Sequence, residues 1–260
     1  MSNKTRGILT IILIIFCAVN PLSAQRIKVI TYNIHHCNPP AQKGVIDTDS
    51  IACVLRSSGA EIALLQEVDY KSNRVGGMDQ PLELSQKSGM PYYRFFKAIN
   101  IPGGEYGIMI LSKYPISSSR SYMLAAIEDG EQRVVGIIEV KISDNETITV
   151  ACTHLDLPDK IRELQVRQLD SLLMPVETPL ILGGDFNSSP DSPEIKFMLN
   201  KFKSSTDKFN KTYPNLNPNV CIDYIFTNRN IGVKFLSHKV LDNVNSSDHL
   251  PVVVEFKMKK

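Results

Sequence analysis

Five short apolar segments of this chain each carry polar residues at one end, and this repeated arrangement limits what the chain can fold into. The polar residues in question are Glu67, His154, Asp185 with Asn187, Asp223, and Asp248 with His249. Each apolar run is typical of a buried β-strand, and polar groups gathered at strand ends form a site on a rigid scaffold. Carboxylates, imidazoles and a carboxamide in one set are suited to a hard divalent cation and to hydrolysis of phosphate esters.

The first 24 residues predict a secretory signal peptide. Lys4 and Arg6 make a positive start, residues 8–19 are almost wholly apolar, and Ala24 is a small residue suited to cleavage. The apolar run is short of the ~20 residues that span a membrane. We therefore expect cleavage near Gln25, a periplasmic or secreted protein, and no stable membrane span after signal removal. An uncleaved N-terminal anchor is the alternative.

Residues 25–260 have the length of one large domain, which we expect to be a single catalytic domain and a monomer. Without Lys4 and Arg6, basic and acidic residues are equal in number, so the mature chain is formally neutral. Enzymes of duplex DNA usually carry a basic stripe that replaces counterions along the backbone. Neutrality therefore disfavours a nuclease, although a local basic face would keep that alternative open.

The mature chain has four cysteines, and their spacing matches neither a disulfide framework nor a zinc-type pair. Two of them lie in apolar runs, where a thiol behaves as a small apolar side chain. We expect structural burial, with disulfides as the alternative, for Cys37, Cys53, Cys152 and Cys221.

Hydrophobic periodicity predicts helices near both ends of the chain and a strand-rich middle. The predicted helices are residues 49–58, 79–87, 160–174 and 193–200. The predicted strands are residues 27–31, 61–66, 92–96, 106–111, 116–124, 132–142, 147–153, 179–182, 221–227, 231–240 and 251–257, with a loop over 206–219. In the clearest helix, 160–174, the residues expected on one apolar side are Ile161, Leu164, Leu169, Leu172 and Leu173. The order of elements predicts an α/β fold with two mixed β-sheets packed face to face and helices outside.

Asp185 and Asn187 follow a short apolar strand. If the chain stays extended there, side chains two residues apart face the same side. A carboxylate that accepts a proton from water and a carboxamide that holds a phosphate oxygen would then share one small volume. Gly183 and Gly184 allow close backbone approach. An ordinary Asp-Asn turn is the alternative.

Adjacent Asp248 and His249 would face opposite ways in an extended chain, so one can face a metal and the other a phosphate. An imidazole needs an acceptor that fixes its tautomer, and Asp223 is the candidate for His249. A turn with a surface histidine is the alternative. Glu67 suits a cation with oxygen ligands, whereas a lone His154 or Glu67 would ordinarily be structural or solvent-exposed.

Taken together, these motifs resemble the endonuclease/exonuclease/phosphatase superfamily from Thr31 to the C-terminus. In chain order they are Thr31-Tyr32-Asn33, Gln66-Glu67, Tyr106-Gly107, Thr153-His154-Leu155, Gly184-Asp185-Phe186-Asn187, Asp223-Tyr224 and Ser247-Asp248-His249. The resemblance implies a four-layer α/β sandwich with its site where the loops of the two sheets converge. It also implies a metal-dependent phosphoric ester hydrolase that acts by in-line attack of water.

The resemblance also implies roles for individual residues. Glu67 would be the principal ligand of Mg²⁺, with Mn²⁺ as an alternative, and Asn33 and Asp248 would support the metal. Catalysis would fall to Asp185 as the group that positions or deprotonates water, and to His249 backed by Asp223, which would stabilise charge on the phosphoryl group. The remaining roles are phosphate contacts from Asn33, Asn187 and Tyr106, and phosphate binding or protonation of the leaving group by His154. Arg133 is a further candidate for phosphate contact from the residues alone.

The family resemblance leaves the substrate open, because the family includes nucleases, sphingomyelinases, inositol-polyphosphate phosphatases and deadenylases. Ile108 and Met109 stand where many relatives have Asn-Ala, and no long insertion decorates the loops. With the export signal and the neutral charge, this favours a small or lipid-derived phosphate ester. A nuclease acting on DNA or RNA is the first alternative, and a catalytically silent binding module is the second.

Overall fold

The computed structural model describes residues 25–127, 130–229 and 232–258. The predicted signal peptide, residues 1–24, lies outside the described residues. Within the described ranges, we find no helix with both the length and the apolar character needed to cross a membrane.

Two six-stranded sheets form the centre of the molecule. The first has the order β11-β12-β1-β2-β4-β3, and its strands are β1 (Arg26–Asn33), β2 (Ile62–Tyr70), β3 (Tyr92–Ile101), β4 (Gly104–Ser112), β11 (Val233–Val240) and β12 (Val252–Met258). The second has the order β5-β6-β7-β8-β10-β9, and its strands are β5 (Ile116–Met123), β6 (Val134–Ser143), β7 (Glu146–His154), β8 (Leu180–Asp185), β9 (Phe202–Ser204) and β10 (Asp223–Asn228). Each sheet contains one parallel pair, β1 with β2 and β7 with β8, so both sheets are mixed.

The described helices are α1 (Thr48–Ser58), α2 (Gln80–Ser88), α3 (Asp159–Leu173) and α4 (Pro193–Lys201). Asp47 and Asp79 cap the first two, because each side chain accepts a hydrogen bond from a backbone N–H of the first turn. Gly59 ends α1 in the left-handed conformation that favours glycine. Helices α1 and α3 each connect two parallel strands, since such strands need a long crossover.

Three separate apolar clusters divide the molecule into four layers. The first lies between the two sheets and includes Leu64 and Val150. The second joins the second sheet to α3 and α4, and the third joins the first sheet to α1 and α2. The prediction of a four-layer α/β sandwich is therefore confirmed.

The strand directions place the predicted site residues on one rim. Asn33 ends β1, and the parallel pair β7–β8 ends with His154 beside Asp185. Strand β10 runs antiparallel to β8, so its first residue, Asp223, pairs with Asp185. Strand β12 likewise runs antiparallel to β1, and His249 lies just before it. The chain therefore brings strand ends and strand beginnings to the same edge.

Three predictions about side-chain burial and strand placement were wrong. Leu164 is 52% exposed, because the buried stripe of α3 uses Gln165 instead. Gln165 donates to the carbonyl of Ala125 and accepts from Asp156 N–H, so a polar side chain is satisfied inside the core.

Cys53 is exposed on α1, while the other three described cysteines are buried, and all four are free thiols. Strand β9 was missed because three residues carry too little alternation to show a strand.

Candidate active site

The rim of the sandwich encloses a cavity of about 480 Å³. Its lining includes most of the predicted site residues: Glu67, Tyr106, Arg133, His154, Asp185, Asn187, Asp248 and His249. The other two, Asn33 and Asp223, are buried behind the wall and bond to its members. The structure therefore brings every predicted site residue to one place, while their roles stay predictions.

Asp185 occupies the centre of the site. Its Oδ2 accepts a hydrogen bond from Asn33 Nδ2 at 3.1 Å and lies 3.4 Å from His154 Nε2. Strand β8 can come this close to β7 because residue 184 is glycine; a Cβ there would overlap the carbonyl of Thr153. Burial raises the pKa of Asp185, and the charge of Asp223 adds to that effect while His249 opposes it. A raised pKa suits a carboxylate that accepts a proton from water.

Asn187 reaches the site through a turn, so the expectation of an extended chain there was wrong. Its φ is 49°, and its backbone N–H donates to Asp185 Oδ1 at 2.8 Å. Its side-chain Nδ2 donates to the carbonyl of Leu155 at 2.9 Å and lies 3.1 Å from His154 Nε2. The sequence analysis gave an ordinary Asp-Asn turn as the alternative to a functional arrangement. In the structure, this turn itself places both side chains at the cavity.

His249 and Asp223 form a buried pair. His249 Nδ1–H donates to Asp223 Oδ2 at 3.0 Å, which leaves Nε2 toward the cavity, 3.6 Å from Asp185 Oδ2. The ring of Tyr213 covers the imidazole with 4.8 Å between centroids. Burial opposes a charged imidazole, but Asp223 and Asp185 outweigh it and raise the pKa of His249 to about 10. His249 is 4% exposed, so the alternative of a surface histidine was wrong.

His154 lies between two hydrogen-bond donors. Arg133 Nη1 lies 3.1 Å from His154 Nδ1, and Asn187 Nδ2 lies 3.1 Å from His154 Nε2. A neutral imidazole has one nitrogen lone pair, so it accepts from only one of these donors at a time, and Nε2 also lies 3.4 Å from Asp185 Oδ2. Burial, and next the charge of Arg133, hold the pKa of His154 well below its usual range. Arg133 Nε is buried and has no hydrogen-bond partner within the described part of the chain, and the buried carboxylate of Asp156 lies 3.9 Å from it.

Glu67 is aimed into the site by a bulge in β2. Its φ is 57°, and the pairing of β2 with β4 shifts register between Leu65 and Val68. Asn33 Nδ2 donates to Glu67 Oε1 at 3.0 Å, and Oε2 lies 3.5 Å from His36 Nδ1. Burial opposes ionisation, but the side chains of His36 and Asn33 hold the pKa of Glu67 well below its usual range.

The donor set fits a divalent cation. The carboxylates of Glu67 and Asp248 line the same cavity, and oxygen ligands are what Mg²⁺ prefers. Asp223 Oδ1 is buried without a hydrogen-bond partner among the residues described, so the site has unused acceptor capacity. Asn33 uses its amide oxygen to accept from His35 N–H at 3.1 Å, so its direct ligation of metal stays a prediction.

Several cavity residues were not predicted. Arg74 pairs with buried Asp69 at 2.6 and 2.7 Å and lies over the ring of Tyr106, 5.2 Å from its centroid. Glu131 and Tyr213 also line the cavity. They lie in loops or turns with no periodic pattern, so the sequence carries no local sign of them. The His35-His36 pair was overlooked too, although two imidazoles directly after the Thr31-Tyr32-Asn33 motif were visible.

Ile108, the departure from the family pattern, lies outside the cavity wall. It is 2% exposed and belongs to the apolar cluster between the sheets. The neighbouring side chain on β4 that faces the site is Tyr106. Ile108 is therefore a core residue, and other residues line the described cavity.

This chain is similar to several known proteins. The uncharacterized protein YbhP of Escherichia coli K12 is 26% identical over 177 residues, and the match covers 62% of this chain and 66% of that protein. An endonuclease/exonuclease/phosphatase structure from Beutenbergia cavernae has a TM-score of 0.72 at 20% identity, covering 90% of this chain and 72% of that chain. A mannosyl-6-phosphatase structure from Bacteroides thetaiotaomicron has a TM-score of 0.72 at 18% identity, covering 88% and 99%.

At such identities the structural likenesses establish the fold alone. The family assignment has an independent basis in the sequence. The model of the endonuclease/exonuclease/phosphatase family matches residues 30–249, and this chain belongs to that family.

Proposed function

We propose that this protein is an exported, Mg²⁺- or Mn²⁺-dependent phosphoesterase that hydrolyses a small or lipid-derived phosphate ester by in-line attack of water. Family membership supports a phosphoesterase in general. One observation carries the proposal further. Asp185 Oδ2 lies between the amide of Asn33 and the Nε2 atoms of His154 and His249, so a general base, a phosphate-binding imidazole and a charge-stabilising imidazole converge on one point.

The geometry suggests how the proton moves. Asp185, whose pKa is raised, accepts a proton from the attacking water as the new P–O bond forms. As the old P–O bond breaks, the leaving oxygen takes its proton from solvent, while His154, held neutral by burial and by the charge of Arg133, contacts a phosphate oxygen. His249, protonated and held by Asp223, stabilises the negative charge that develops on the phosphoryl oxygens.

A divalent cation would be held by Glu67 with Asp248 and Asn33. When bound, it supplies polarisation of the phosphate and offsets charge on the leaving oxygen. The chain's own contribution is the position of Glu67, which the bulge of β2 and the hydrogen bond from Asn33 determine.

The size and lining of the cavity support a compact substrate. A volume of about 480 Å³ is within the range of small-molecule sites. Arg74 and Arg133 supply positive charge, while Ile99 and Leu157 supply apolar wall. The structural neighbour from Bacteroides thetaiotaomicron is a mannosyl-6-phosphatase, and a small phosphorylated substrate is what we propose for this chain as well. Export rests on residues 1–24, and the monomeric state is likewise a proposal.

A turnover panel tests the proposal. The purified protein is assayed with Mg²⁺ at fixed low salt on p-nitrophenyl phosphate, bis-p-nitrophenyl phosphate, sugar phosphates, inositol phosphates, phosphatidylinositol phosphates, sphingomyelin, RNA and plasmid DNA. The Asp185→Asn variant is the control for contaminating activity. We expect turnover of a small or lipid-derived ester that EDTA abolishes. Fast plasmid nicking without other turnover would support the nuclease instead, and no turnover at all would support a silent binding module.

A further inference from the structure

His35 and His36 adopt an unusual backbone conformation beside the candidate active site. His35, His36 and Cys37 have φ of 45°, 42° and 61°, the left-handed region that non-glycine residues rarely occupy. The turn is held in place from several sides. Gln80 Nε2 donates to the carbonyl of His36 at 2.6 Å, and Asp47 N–H donates to the carbonyl of Cys37 at 2.7 Å. The fold therefore enforces this conformation at two imidazoles where glycine would be easier.

The turn sets both imidazoles against Glu67. One ligand atom from each of His35, His36 and Glu67 lies within 4.8 Å of the others. His36 Nδ1 is 3.5 Å from Glu67 Oε2. Two ligand atoms at neighbouring positions on one cation, each about 2.1 Å from it, are about 3 to 3.5 Å apart. The spacing of His36 and Glu67 is therefore close to what a shared ion requires, and the ligand atom of His35 lies within 4.8 Å of both.

Both rings offer a nitrogen lone pair. His35 Nδ1 lies 2.9 Å from the carbonyl of Asn38, which only accepts, so Nδ1 carries the proton and Nε2 is free. Metal-binding histidines are typically oriented by such a bond from their other nitrogen. His36 Nδ1 is buried and has no hydrogen-bond partner in the described ranges. Apart from the charged contact with Glu67 Oε2 at 3.5 Å, this buried nitrogen has no partner among the residues described, so its bonding capacity toward a ligand is unused.

The two oxygens of Glu67 face different neighbours. Oε1 accepts from Asn33, whose amide also bonds to Asp185, so this oxygen faces the catalytic cluster. Oε2 faces His36. We propose that His35, His36 and Oε2 of Glu67 form a second cation site for a divalent transition metal such as Mn²⁺, Co²⁺ or Zn²⁺. Imidazole nitrogens favour these ions, whereas Mg²⁺ prefers oxygen.

This inference rests on the proposed function at one point only. That point is the assignment of Glu67 Oε1 as a ligand of the cation that polarises the phosphate. The competing explanation is that His36 merely neutralises the charge of Glu67. The two explanations differ in whether a metal ion acquires imidazole nitrogen ligands from this turn.

The test is Mn²⁺ binding to the metal-free protein, with stoichiometry from electron paramagnetic resonance and nitrogen ligation from electron spin echo envelope modulation. The variants are His36→Asn and the double variant His35→Asn/His36→Asn, because asparagine tolerates the left-handed conformation. The control is His238→Asn, since His238 bonds to Ser205 on another part of the surface. Circular dichroism and melting confirm that each variant folds.

We expect two Mn²⁺ ions per wild-type and control protein, and one in the double variant. The imidazole coupling should fall in both variants, and the affinity of the second site should weaken at least ~10-fold. A double variant with the wild-type stoichiometry and coupling overturns the inference, as does a wild-type protein with one site. If asparagine fails to fold, His36→Gly repeats the test. Because neither readout needs turnover, two sites in an inactive protein would support this inference while refuting the proposed function.

Discussion

Oδ2 of Asp185 lies 3.6 Å from Nε2 of His249. That distance is too long for a hydrogen bond, so each atom keeps bonding capacity toward the cavity. Hydrogen bonds hold both side chains in place: Asp185 accepts from Asn187 N–H, and His249 donates to Asp223. The pair is thus positioned in advance for a ligand, as expected where charge must be stabilised without reorganisation.

Loss of either group should lower turnover. We expect Asp185→Ala and His249→Ala each to reduce kcat by at least ~10²-fold, since they act as general base and charge stabiliser. Steady-state kinetics on the best substrate of the panel measure the effect. Asp191→Asn, an exposed position on the same loop, should keep wild-type kinetics. Near-wild-type turnover in either alanine variant, with the fold intact, would refute the assigned role.

Activity should depend on a divalent cation held by Glu67. EDTA should abolish turnover, and added Mg²⁺ or Mn²⁺ should restore it. Glu67→Gln keeps the shape of the side chain but removes its charge, so we expect the Mg²⁺ concentration for half-maximal activity to rise at least ~10-fold. Glu105→Gln, on the exposed pair with Lys97, is the matched control. Turnover that is unchanged after chelation would exclude the metal role.

The charge of Arg133 should be measurable at His154. Burial, Arg133 and His249 all lower the pKa of His154, so Arg133→Gln removes one of the three causes. We expect the pKa of His154 to rise in that variant, followed by nuclear magnetic resonance of the imidazole during a pH titration. Arg120→Gln, on a partly exposed pair with Glu139, should leave it unchanged. An unaltered His154 titration in Arg133→Gln would contradict the contact.

Stability should fall with rising pH because of His249. Its pKa in the folded protein, about 10, exceeds the ordinary value of 6.5, so the folded state holds a proton that the unfolded state releases. The stabilisation is complete below pH 6.5 and is lost as pH rises toward 10. Urea midpoints of the metal-free protein across this window, compared with His249→Gln, measure it. We expect the wild type to lose more stability than the variant; parallel curves would argue against a charged His249.

Gly184 should tolerate no side chain. A Cβ there would overlap the Thr153 carbonyl, so we expect Gly184→Ala to lower the free energy of unfolding by about 3 kcal/mol or more. Gly77→Ala is the control, because Gly77 has φ of 77° with open space around it and should cost about 1 kcal/mol. Chemical denaturation measures both. Equal losses would mean that backbone conformation, and not the close approach of β7 and β8, decides the effect.

Most helices and strands were predictable because local periodicity encodes them. The predicted helix at residues 79–87 corresponds to α2 (Gln80–Ser88), with Asp79 as its cap. Prediction failed where a tertiary partner decides burial. Leu164 looks like a core residue from its chemistry, but Gln165 takes the buried position because Ala125 and Asp156 supply its hydrogen bonds.

The site residues divide in the same way into those that the sequence predicted and those that depend on tertiary contacts. Polar residues at strand ends could be found in the sequence, since each follows or precedes an apolar run. Arg74 could not, because its place depends on a bidentate pair with Asp69 and on the ring of Tyr106. The sequence also left the choice between an extended chain and a turn at Asn187 open, since both use the same residues.

By itself, the sequence determined the layers, the family and the set of polar residues, because these depend on residue type and on spacing along the chain. Only the tertiary structure decided which atoms meet: the 3.0 Å bond from His249 to Asp223, the donors that face both ring nitrogens of His154, and the two faces of Glu67. These contacts join residues far apart in sequence, and their distances depend on strand register, on the bulge in β2 and on turns. Local propensity carries no information about such long-range geometry.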